Sequence, residues 1–244
     1  MQDVSTRFGA LPEQPEAVLM DVGFTMVVYD SQRLADLVKP FGVFVDAARI
    51  EATQPMIRRE LSHSAWAFGR QGEGRARGED FFSRVLVVAG AEFRPAQLAA
   101  AVSHVWEQHL ADNLWTQVFP GVHEALAMLR AAGLRLGVIS NAEGTIVALL
   151  KRIGVLDAFE LVLDSTVVGV AKPDRRIFEL ALKSLELPPE RVVMVGDSVA
   201  ADVEGAWGAG VPAALIDPFD IHPQCVAPRF GDLLSFARAL ISAK

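Results

Sequence analysis

Acidic side chains stand directly after two short apolar runs of the chain. Asp21 follows "AVLM", Asp197 follows "VVMVG", and Asp202 comes five residues later. Carboxylates on neighbouring strand ends would repel each other unless a cation lay between them. Carboxylates, a backbone carbonyl and water together form a site that suits Mg²⁺. We therefore expect Asp21 and Asp197 to share this ion, with Asp202 bound to it directly or through water.

Groups that could hold an anion stand near the same apolar runs. They are one cation, two hydroxyls and one amide: Lys172, Thr25, Ser140 and Asn141. A carboxylate nucleophile, a metal ion, a cation and hydroxyl donors in one pocket suit attack on a phosphoryl group. This set of residues therefore indicates phosphoryl chemistry on a small phosphorylated substrate.

The elements that must position these residues are short strands alternating with helices. Strands are predicted at 17–21, 134–139, 160–164, 191–196 and 212–216. Between the later strands, amphipathic helices are predicted at 145–154, 176–187 and 198–210. This alternation predicts an α/β fold of three layers, with helices on both faces of a mostly parallel, Rossmann-like sheet. In an open parallel sheet the active site forms at the carboxyl ends of the strands.

A helical block interrupts this pattern after the first strand. Two long amphipathic stretches predict helices there, and "GRQGEGRARGED" between them, at 69–80, predicts a loop because it contains four glycines. We expect an α-helical cap at 31–114, inserted into an α/β core made of 1–30 and 115–244.

The composition excludes several classes of protein. Of the 244 residues, 51% are apolar, so a large core is available and disorder is not expected. The net charge of −7 disfavours nucleic acid as a partner, and no apolar run approaches the ~20 residues of a membrane helix. The single cysteine, Cys225, allows no intramolecular disulfide, and there is no signal peptide pattern. We expect a cytoplasmic protein without membrane or nucleic-acid partners, either a monomer or a homodimer.

Taken in order, these residues resemble the four motifs of the haloacid dehalogenase (HAD) superfamily, over nearly the whole chain. "DVGFT" is similar to the first motif and "VISN" to the second. Lys172 with Pro173 is similar to the third, and "GDSVAAD" followed by "GAWGAG" to the fourth. A helical cap between the first and second motifs is typical of the subgroup that contains small-molecule phosphatases and dehalogenases.

The resemblance implies a role for each residue. Asp21 would attack phosphorus and form an aspartyl-phosphate, which water would then hydrolyse. Ser140 would bind phosphate, and Asp197 and Asp202 would bind Mg²⁺. Lys172 would neutralise the phosphoryl oxygens and keep the closely set acids ionised.

The first motif departs from the family's phosphatases at one position. They usually carry a second acid two residues after the nucleophile, which protonates the leaving oxygen and then deprotonates the attacking water. This chain has Gly23 instead. Acid–base help of this kind contributes roughly 10²–10⁴ in rate. The main-chain carbonyl that binds the metal at this position in the family is retained, so Gly23 is still expected at the metal site.

Four functions are compatible with the glycine. The first is a phosphatase with a substitute acid, Glu143 or a cap residue such as His63, or with a leaving group that needs little protonation. The second is a metal-free 2-haloacid dehalogenase, which Asp197 disfavours because those relatives lack that acid. The third is phosphonate hydrolysis through a lysine Schiff base, for which the cap offers only Lys39. The fourth is a pseudo-phosphatase that binds a phosphorylated ligand or a partner protein.

Other charged and aromatic residues carry no recognisable motif. The cap arginines are expected to be solvated: Arg58, Arg59, Arg70, Arg75 and Arg77. The aromatic residues are expected to be packing residues: Trp66, Phe68, Phe81, Phe82, Trp106 and Trp115. After the last predicted strand, Asp217, Asp220 and His222 are expected to belong to a connection.

Overall fold

The computed structural model describes residues 10–63 and 74–242. The strands, in chain order, are β1 (Ala17–Met20), β2 (Val27–Val28), β3 (Gln117–Val118), β4 (Arg135–Ser140), β5 (Leu161–Asp164), β6 (Val192–Gly196), β7 (Ala213–Ile216) and β8 (Arg229–Phe230). A parallel six-stranded sheet has the order β5-β4-β1-β6-β7-β8. Strands β2 and β3 form a separate antiparallel pair.

Helices cover both faces of the sheet. In chain order they are α1 (Ser31–Val38), α2 (Ala47–Glu51), α3 (Gln54–His63), α4 (Gly74–Val88), α5 (Pro95–Ala111), α6 (Val122–Ala131), α7 (Ile146–Arg152), α8 (Ser165–Val168), α9 (Arg175–Leu185), α10 (Gly205–Gly208) and α11 (Leu233–Ser242). Helices α6, α7 and α11 pack on one face, and α9 and α10 on the other. The predicted three-layer α/β fold is confirmed. Within the described ranges, no helix combines the length and apolarity that crossing a bilayer demands.

The central strand β1 shows why its residues form a buried strand. Val18 and Met20 belong to the core on one face, and Ala17 and Leu19 to the core on the other. Successive side chains of a strand point to opposite faces, so a strand covered on both sides is apolar throughout. The five predicted strands are all present, with bounds that differ by one residue at most.

A third apolar cluster lies in the helices inserted between β2 and β3. Its buried members include Leu34, Ile50, Phe82 and Val105. Phe24, which precedes β2, also packs into this cluster. Residues before position 31 therefore also pack against the inserted helices. The division of the chain into a cap at 31–114 and a core made of the remainder stays a prediction.

The loop predicted at 69–80 is wrong from residue 74 onward, because α4 begins there; residues 69–73 lie outside the described ranges. Arg75 and Glu79 form an ion pair one helical turn apart (2.8 Å). Gly78 lies within the helix because the Trp106 ring packs against it, and a Cβ at Gly78 would lie 1.9 Å from Cζ3 of that ring. The glycine thus permits close helix packing rather than a turn.

The helix predicted at 198–210 is divided in two. A wide π-helical turn runs from Val199 to Glu204 and continues into the short helix α10. The turn begins at Ser198, whose hydroxyl accepts a hydrogen bond from the N–H of Ala201 (3.1 Å). The turn stands directly after β6 and so belongs to the edge where the predicted site residues meet.

Candidate active site

Three adjacent parallel strands bring Asp21, Ser140 and Asp197 to one edge of the sheet. Asp21 follows β1, and its N–H donates to the carbonyl of Val195 in β6 (3.0 Å). Ser140 is the last residue of β4, and Asp197 follows β6. Because β4, β1 and β6 are neighbours in the sheet, these side chains come together at the carboxyl ends, where ligands bind in such folds.

Asp21, Asp197 and Asp202 form an acidic cluster. Each offers one carboxylate oxygen, and the three oxygens lie within 4.8 Å of one another. Asp202 is held in place by the N–H of Ser198, which donates to its Oδ2 (2.9 Å). Gly196 leaves room for this carboxylate, since a Cβ there would lie 2.2 Å from the same Oδ2. The strand-end glycine and the turn together place the third acid beside the first two.

Lys172 bridges two of these acids. Its Nζ donates to Oδ1 of Asp21 (2.6 Å) and to Oδ1 of Asp202 (2.7 Å), and the side chain is buried. Burial by itself would lower the pKa of Lys172, but the two carboxylates raise it above its ordinary value overall. The lysine therefore stays charged and supplies the positive charge that the sequence predicted for this pocket.

Lys172 offsets the effect of burial on two of these acids only in part, and its role in keeping the acids ionised stays a prediction. Burial raises the pKa of Asp21 to about 6, because it outweighs the attraction of Lys172. Burial also raises the pKa of Asp197 well above its ordinary value. A divalent cation between the three carboxylates would add the missing positive charge. Three oxygens at this spacing, from hard carboxylate ligands, fit Mg²⁺.

The predicted anion-binding residues differ in where the structure places them. Ser140 is buried and lines a cavity in front of the acids. Asn141 also lines the cavity. Its side-chain amide makes two hydrogen bonds to the main chain of Lys172: Nδ2 donates to the carbonyl and Oδ1 accepts from the N–H, both at 2.9 Å. Thr25 is not among the described residues that line the cavity, and its buried hydroxyl has no hydrogen-bond partner there.

Gly23 lines the same cavity, and the indole of Trp115 lies against it. A Cβ at Gly23 would be 3.3 Å from Cζ3 of Trp115, closer than most carbon contacts. The space in which a second acid would begin is therefore next to an aromatic ring. The sequence did not indicate this, because Trp115 was expected to be a packing residue. The only indication in the sequence was the glycine itself, since a position without a side chain leaves room for a group such as the Trp115 indole.

The cavity has a volume of about 390 Å³. Acids at the carboxyl ends of the strands line it, and so do aromatic residues from the inserted helices and their linker: Phe81, Phe82, Trp106 and Trp115. These four residues were expected only to pack. Phe82 and Trp106 are buried in the inserted cluster, so the same rings that form a core also line the cavity. The predicted packing residues Trp66 and Phe68 lie outside the described ranges.

Of the two candidates for a substitute acid, Glu143 lines the cavity, whereas the side chain of His63 lies outside the described structure. Glu143 faces His109, with Oε2 3.5 Å from Nε2 of the ring. Nδ1 of His109 accepts a hydrogen bond from the N–H of Leu114 (3.2 Å). In the neutral ring the proton is therefore on Nε2, directed at Glu143. The glutamate is thus oriented by a buried residue of α5.

Arg58 contradicts the expectation that the cap arginines are solvated, because it is only 4% exposed. Its guanidinium carbon lies 4.7 Å from the ring centre of Phe24, 5.4 Å from that of Phe119 and 5.6 Å from that of Phe219. Burial lowers the pKa of Arg58, and the negative charge of Asp197 is the strongest influence that raises it again. No sequence signal distinguished this arginine from its neighbours.

The other basic residues of the insert are placed differently. Arg59 and Arg75 are exposed, Arg77 is partly exposed and lines the cavity, and Arg70 lies outside the described ranges. Lys39 is exposed and is not among the residues that line the cavity in the described part of the chain. A Schiff base on Lys39 at this site is therefore disfavoured.

Comparison with known proteins shows what the chain is similar to. Residues 35–210 match the family model for haloacid dehalogenase-like hydrolases. Glyceraldehyde 3-phosphate phosphatase of Methanothermobacter thermautotrophicus is 32% identical over 209 residues, which are 83% of this chain and 85% of that protein.

Solved structures of two kinds share the fold. The HAD-hydrolase YfnB of Bacillus subtilis, bound to magnesium, is 20% identical, has a TM-score of 0.65, and is matched over 93% of this chain and 99% of its own. The L-2-haloacid dehalogenase of Xanthobacter autotrophicus is 20% identical, with a TM-score of 0.61, over 92% of this chain and 98% of its own. These similarities show the fold alone, and the chemistry of this chain has to be argued from the side chains of its site.

Proposed function

The chain belongs to the haloacid dehalogenase-like hydrolase family, and on this premise we propose that it is a Mg²⁺-dependent phosphatase that hydrolyses a small phosphorylated metabolite through an aspartyl-phosphate on Asp21. The observation that carries the proposal is the acidic cluster bridged by a buried lysine. Asp21, Asp197 and Asp202 lie within 4.8 Å of one another, and Lys172 contacts two of them. The magnesium in a family structure and the phosphatase activity of a relative support it.

The proposed metal site consists of the three carboxylates and the carbonyl of Gly23. Bound there, Mg²⁺ would polarise the phosphoryl group and lessen the repulsion between its oxygens and the carboxylates. Without such an ion, three acids and one lysine would repel an anionic substrate. Metal-dependent binding of phosphate is therefore part of the proposal.

The chain's own residues carry the covalent steps. A carboxylate oxygen of Asp21 attacks phosphorus, an O–P bond to Asp21 forms, and the bond to the leaving oxygen breaks. Lys172 orients that carboxylate through its 2.6 Å hydrogen bond and neutralises charge on the transferred group. The Ser140 hydroxyl donates to a phosphoryl oxygen, and so does the second amide hydrogen of Asn141, whose first is bound to the Lys172 carbonyl. Water then attacks phosphorus and the O–P bond to Asp21 breaks, so that phosphate leaves, the proton of the water passes to solvent, and the Asp21 carboxylate is restored.

The two other functions compatible with the fold are less well supported by the side chains. A metal-free dehalogenase must bind a haloacid carboxylate beside its nucleophile, but here Asp197 and Asp202 surround Asp21 with negative charge. A pseudo-phosphatase is compatible with the loss of the acid at Gly23. A protein that only binds a phosphorylated ligand does not need a nucleophile, two further acids and a lysine in hydrogen-bonding geometry, so their presence favours the phosphatase.

Phosphate release from p-nitrophenyl phosphate, with Mg²⁺ or with chelator, tests the proposal. We expect turnover with Mg²⁺ only, and its loss in Asp21→Asn. Asp36→Asn, which changes an exposed acid of α1, serves as the control and should retain activity. Halide release from 2-chloropropionate without metal would establish the dehalogenase instead. Binding of phosphate esters without any turnover would establish the pseudo-phosphatase.

A further inference from the structure

Two parts of the chain contribute different chemistry to the cavity. The carboxyl ends of the strands contribute acids, a lysine, a hydroxyl and an amide, whereas the insert and its linker contribute Leu61, Phe81, Phe82, Trp106 and Trp115. A phosphoryl group held at the acids would direct the rest of the substrate toward these rings. A cavity of about 390 Å³ is small for a ligand site, so that remainder must itself be compact.

The aromatic side of the cavity is preorganised. Phe81 stacks on Trp115 with a ring-centre distance of 5.6 Å and an interplanar angle of 29°. Phe24 meets the same indole edge-on at 4.9 Å, and Tyr29 meets it edge-on at 5.5 Å. Tyr29 is buried, and its hydroxyl hydrogen-bonds to Thr53 (3.2 Å). Trp115 is therefore held in place by three other rings, and this aromatic lining favours an apolar group over one covered with hydroxyls that would lose their hydrogen bonds to water.

Several polar groups near these rings already have partners in the described structure. His109 and Glu143 face each other at 3.5 Å. The Asn113 amide accepts from the N–H of Trp115 (2.8 Å) and donates to the hydroxyl of Thr145 (3.1 Å). Arg77 also lines the cavity and has interactions of its own. A sugar with several hydroxyls would have to compete for these groups, and a flat ring would not.

The missing acid leads to the same class of compound. With Gly23 beside the nucleophile and Trp115 packed against it, no side chain at that position donates a proton to the leaving oxygen. The absence of an acid at this position favours a leaving group that can depart as an anion. A phenol, with a pKa of roughly 10 as in tyrosine, forms a much more stable anion than a sugar alcohol. Acid catalysis is least needed for such a leaving group.

From these two observations we infer the substrate class of the site: monophosphates of flat, apolar, acidic hydroxyl compounds, such as aryl or enol phosphates, rather than sugar phosphates. The inference rests on the proposed phosphatase function. In the first step the O–P bond to Asp21 forms as the bond to the aryl or enol oxygen breaks, and that oxygen leaves with the electron pair. It takes its proton from solvent.

Four monophosphates separate the effect of the ring from that of the leaving group. Phenyl phosphate has a ring and a phenoxide leaving group, and benzyl phosphate has a ring and an alkoxide. Acetyl phosphate has no ring and a carboxylate leaving group, and glycerol phosphate has no ring and an alkoxide. With the Mg²⁺-loaded full chain we expect kcat/KM for phenyl phosphate to exceed that for glycerol phosphate by roughly 10²-fold or more. Benzyl phosphate should match phenyl phosphate in KM but not in kcat.

Turnover of glycerol phosphate equal to that of phenyl phosphate, with Mg²⁺ and Asp21 both required, would overturn the inference and leave the proposed function standing. A second result would also overturn it: Glu143→Gln slowing the two alkoxide esters far more than phenyl phosphate, since Glu143 would then supply the proton. Unequal turnover that Glu143→Gln does not alter supports the inference.

Binding gives a readout that is independent of catalysis. In Asp21→Asn with Mg²⁺, calorimetry should show phenyl and benzyl phosphate binding about tenfold more tightly than glycerol phosphate. Phe81→Ala should reduce that ratio, whereas Phe44→Ala, which changes an exposed phenylalanine remote from the cavity lining, should not. Equal affinities would overturn the inference even if every ester were hydrolysed. If none were hydrolysed, the proposed function would fail, and the affinity ratio would still decide whether the rings select flat ligands.

Discussion

At the scale of single residues, Gly23 and Trp115 have to be considered as a pair. A Cβ at Gly23 would lie 3.3 Å from the indole, so the ring must shift by a few tenths of an ångström, and three other rings packed on it resist that shift. Gly23→Asp alone should therefore not raise turnover, because the new acid and the indole compete for one space. We expect a lower kcat/KM for phenyl phosphate in this variant, measured by phosphate release.

The double variant Gly23→Asp, Trp115→Ala should behave differently. It has space for the carboxyl group, and turnover of benzyl phosphate should rise over that of Trp115→Ala by up to roughly 10²-fold, the lower end of general acid help. Gly23→Asn, Trp115→Ala is the matched control, since the amide has the same shape but cannot donate as an acid. Equal rates for the Asp and Asn double variants would mean that no acid acts from this position.

Lys172 is a residue whose loss should affect stability as well as activity. It is 2% exposed and bonds to both Asp21 and Asp202. Lys172→Met keeps most of the volume but leaves two buried carboxylates unpaired, and removal of one partner from a buried ion pair costs about 3–5 kcal/mol. Urea unfolding in chelator should show this loss, and turnover should be abolished. Lys151→Met, at an exposed position of α7, should leave both nearly unchanged.

The sequence was sufficient to locate the residues that stand on strands and their ends. Asp21 and Asp197 follow buried strands, and the order of those strands brings them together. Trp115 and Arg58 could not be identified as site residues, because their positions depend on how the inserted helices pack against the sheet edge. That packing is decided by shape and leaves no motif in a single sequence.

At the scale of elements, apolar runs and turn residues predicted the longer strands well. Strands of two residues and a helix that contains a packing glycine were not predicted. β2, β3 and β8 have two residues each, too few to show alternation. Four glycines at 69–80 predicted a loop, yet Gly78 is helical because Trp106 packs on it. Glycine at a helix contact and glycine in a turn look alike in sequence.

The connection after β7 contains a buried acid that should stabilise it in a pH-dependent way. Asp217 accepts hydrogen bonds from the N–H groups of Ile221 and His222 (both 3.0 Å) and from Arg229 (3.2 Å). Burial by itself would raise the pKa of Asp217, but these donors lower it below its ordinary value. The folded state therefore favours the ionised carboxylate, and this contribution is present above the unfolded pKa of roughly 3.9 and lost as pH falls through the folded pKa.

Asp217→Asn should consequently destabilise the protein by about 1–3 kcal/mol at pH 7. The deficit should shrink as pH falls below about 4, because the wild-type carboxylate becomes protonated as pH passes through its lowered folded pKa. Urea unfolding at each pH measures it. Asp220→Asn, which removes an exposed partner of Arg229, should have little effect at any pH. A deficit that stays constant with pH would mean that packing, and not charge, is what Asp217 contributes.

At the scale of the whole molecule, helix α3 is the element through which the insert contacts the carboxyl ends of the strands, where the acidic cluster lies. Its Ser62 hydroxyl accepts a hydrogen bond from the N–H of Val199 (3.2 Å), at the start of the turn that carries Asp202. Its Arg58 is buried against Phe119 and Phe219, which belong to the segments after the insert. A cation from the insert thus lies close enough to Asp197 to influence its charge.

Arg58 should therefore couple the insert to the metal site. Its positive charge repels a divalent cation bound at Asp197. It also lowers the pKa of Asp197, which burial otherwise raises, so the two proteins are compared at a pH at which this acid is ionised in both. Arg58→Met keeps the buried stem and removes the charge, so Mg²⁺ should bind more tightly, by roughly fivefold or ~1 kcal/mol. An anionic substrate should bind more weakly, with KM raised by a similar factor.

Because Nε and Nη1 of Arg58 lack hydrogen-bond partners in the described structure, the thermal midpoint of unfolding of Arg58→Met should not fall. Calorimetry with Mg²⁺, together with KM measurements, tests this, and Arg59→Met at the neighbouring exposed position is the control. A lower midpoint with unchanged Mg²⁺ affinity would show that Arg58 only packs between the rings.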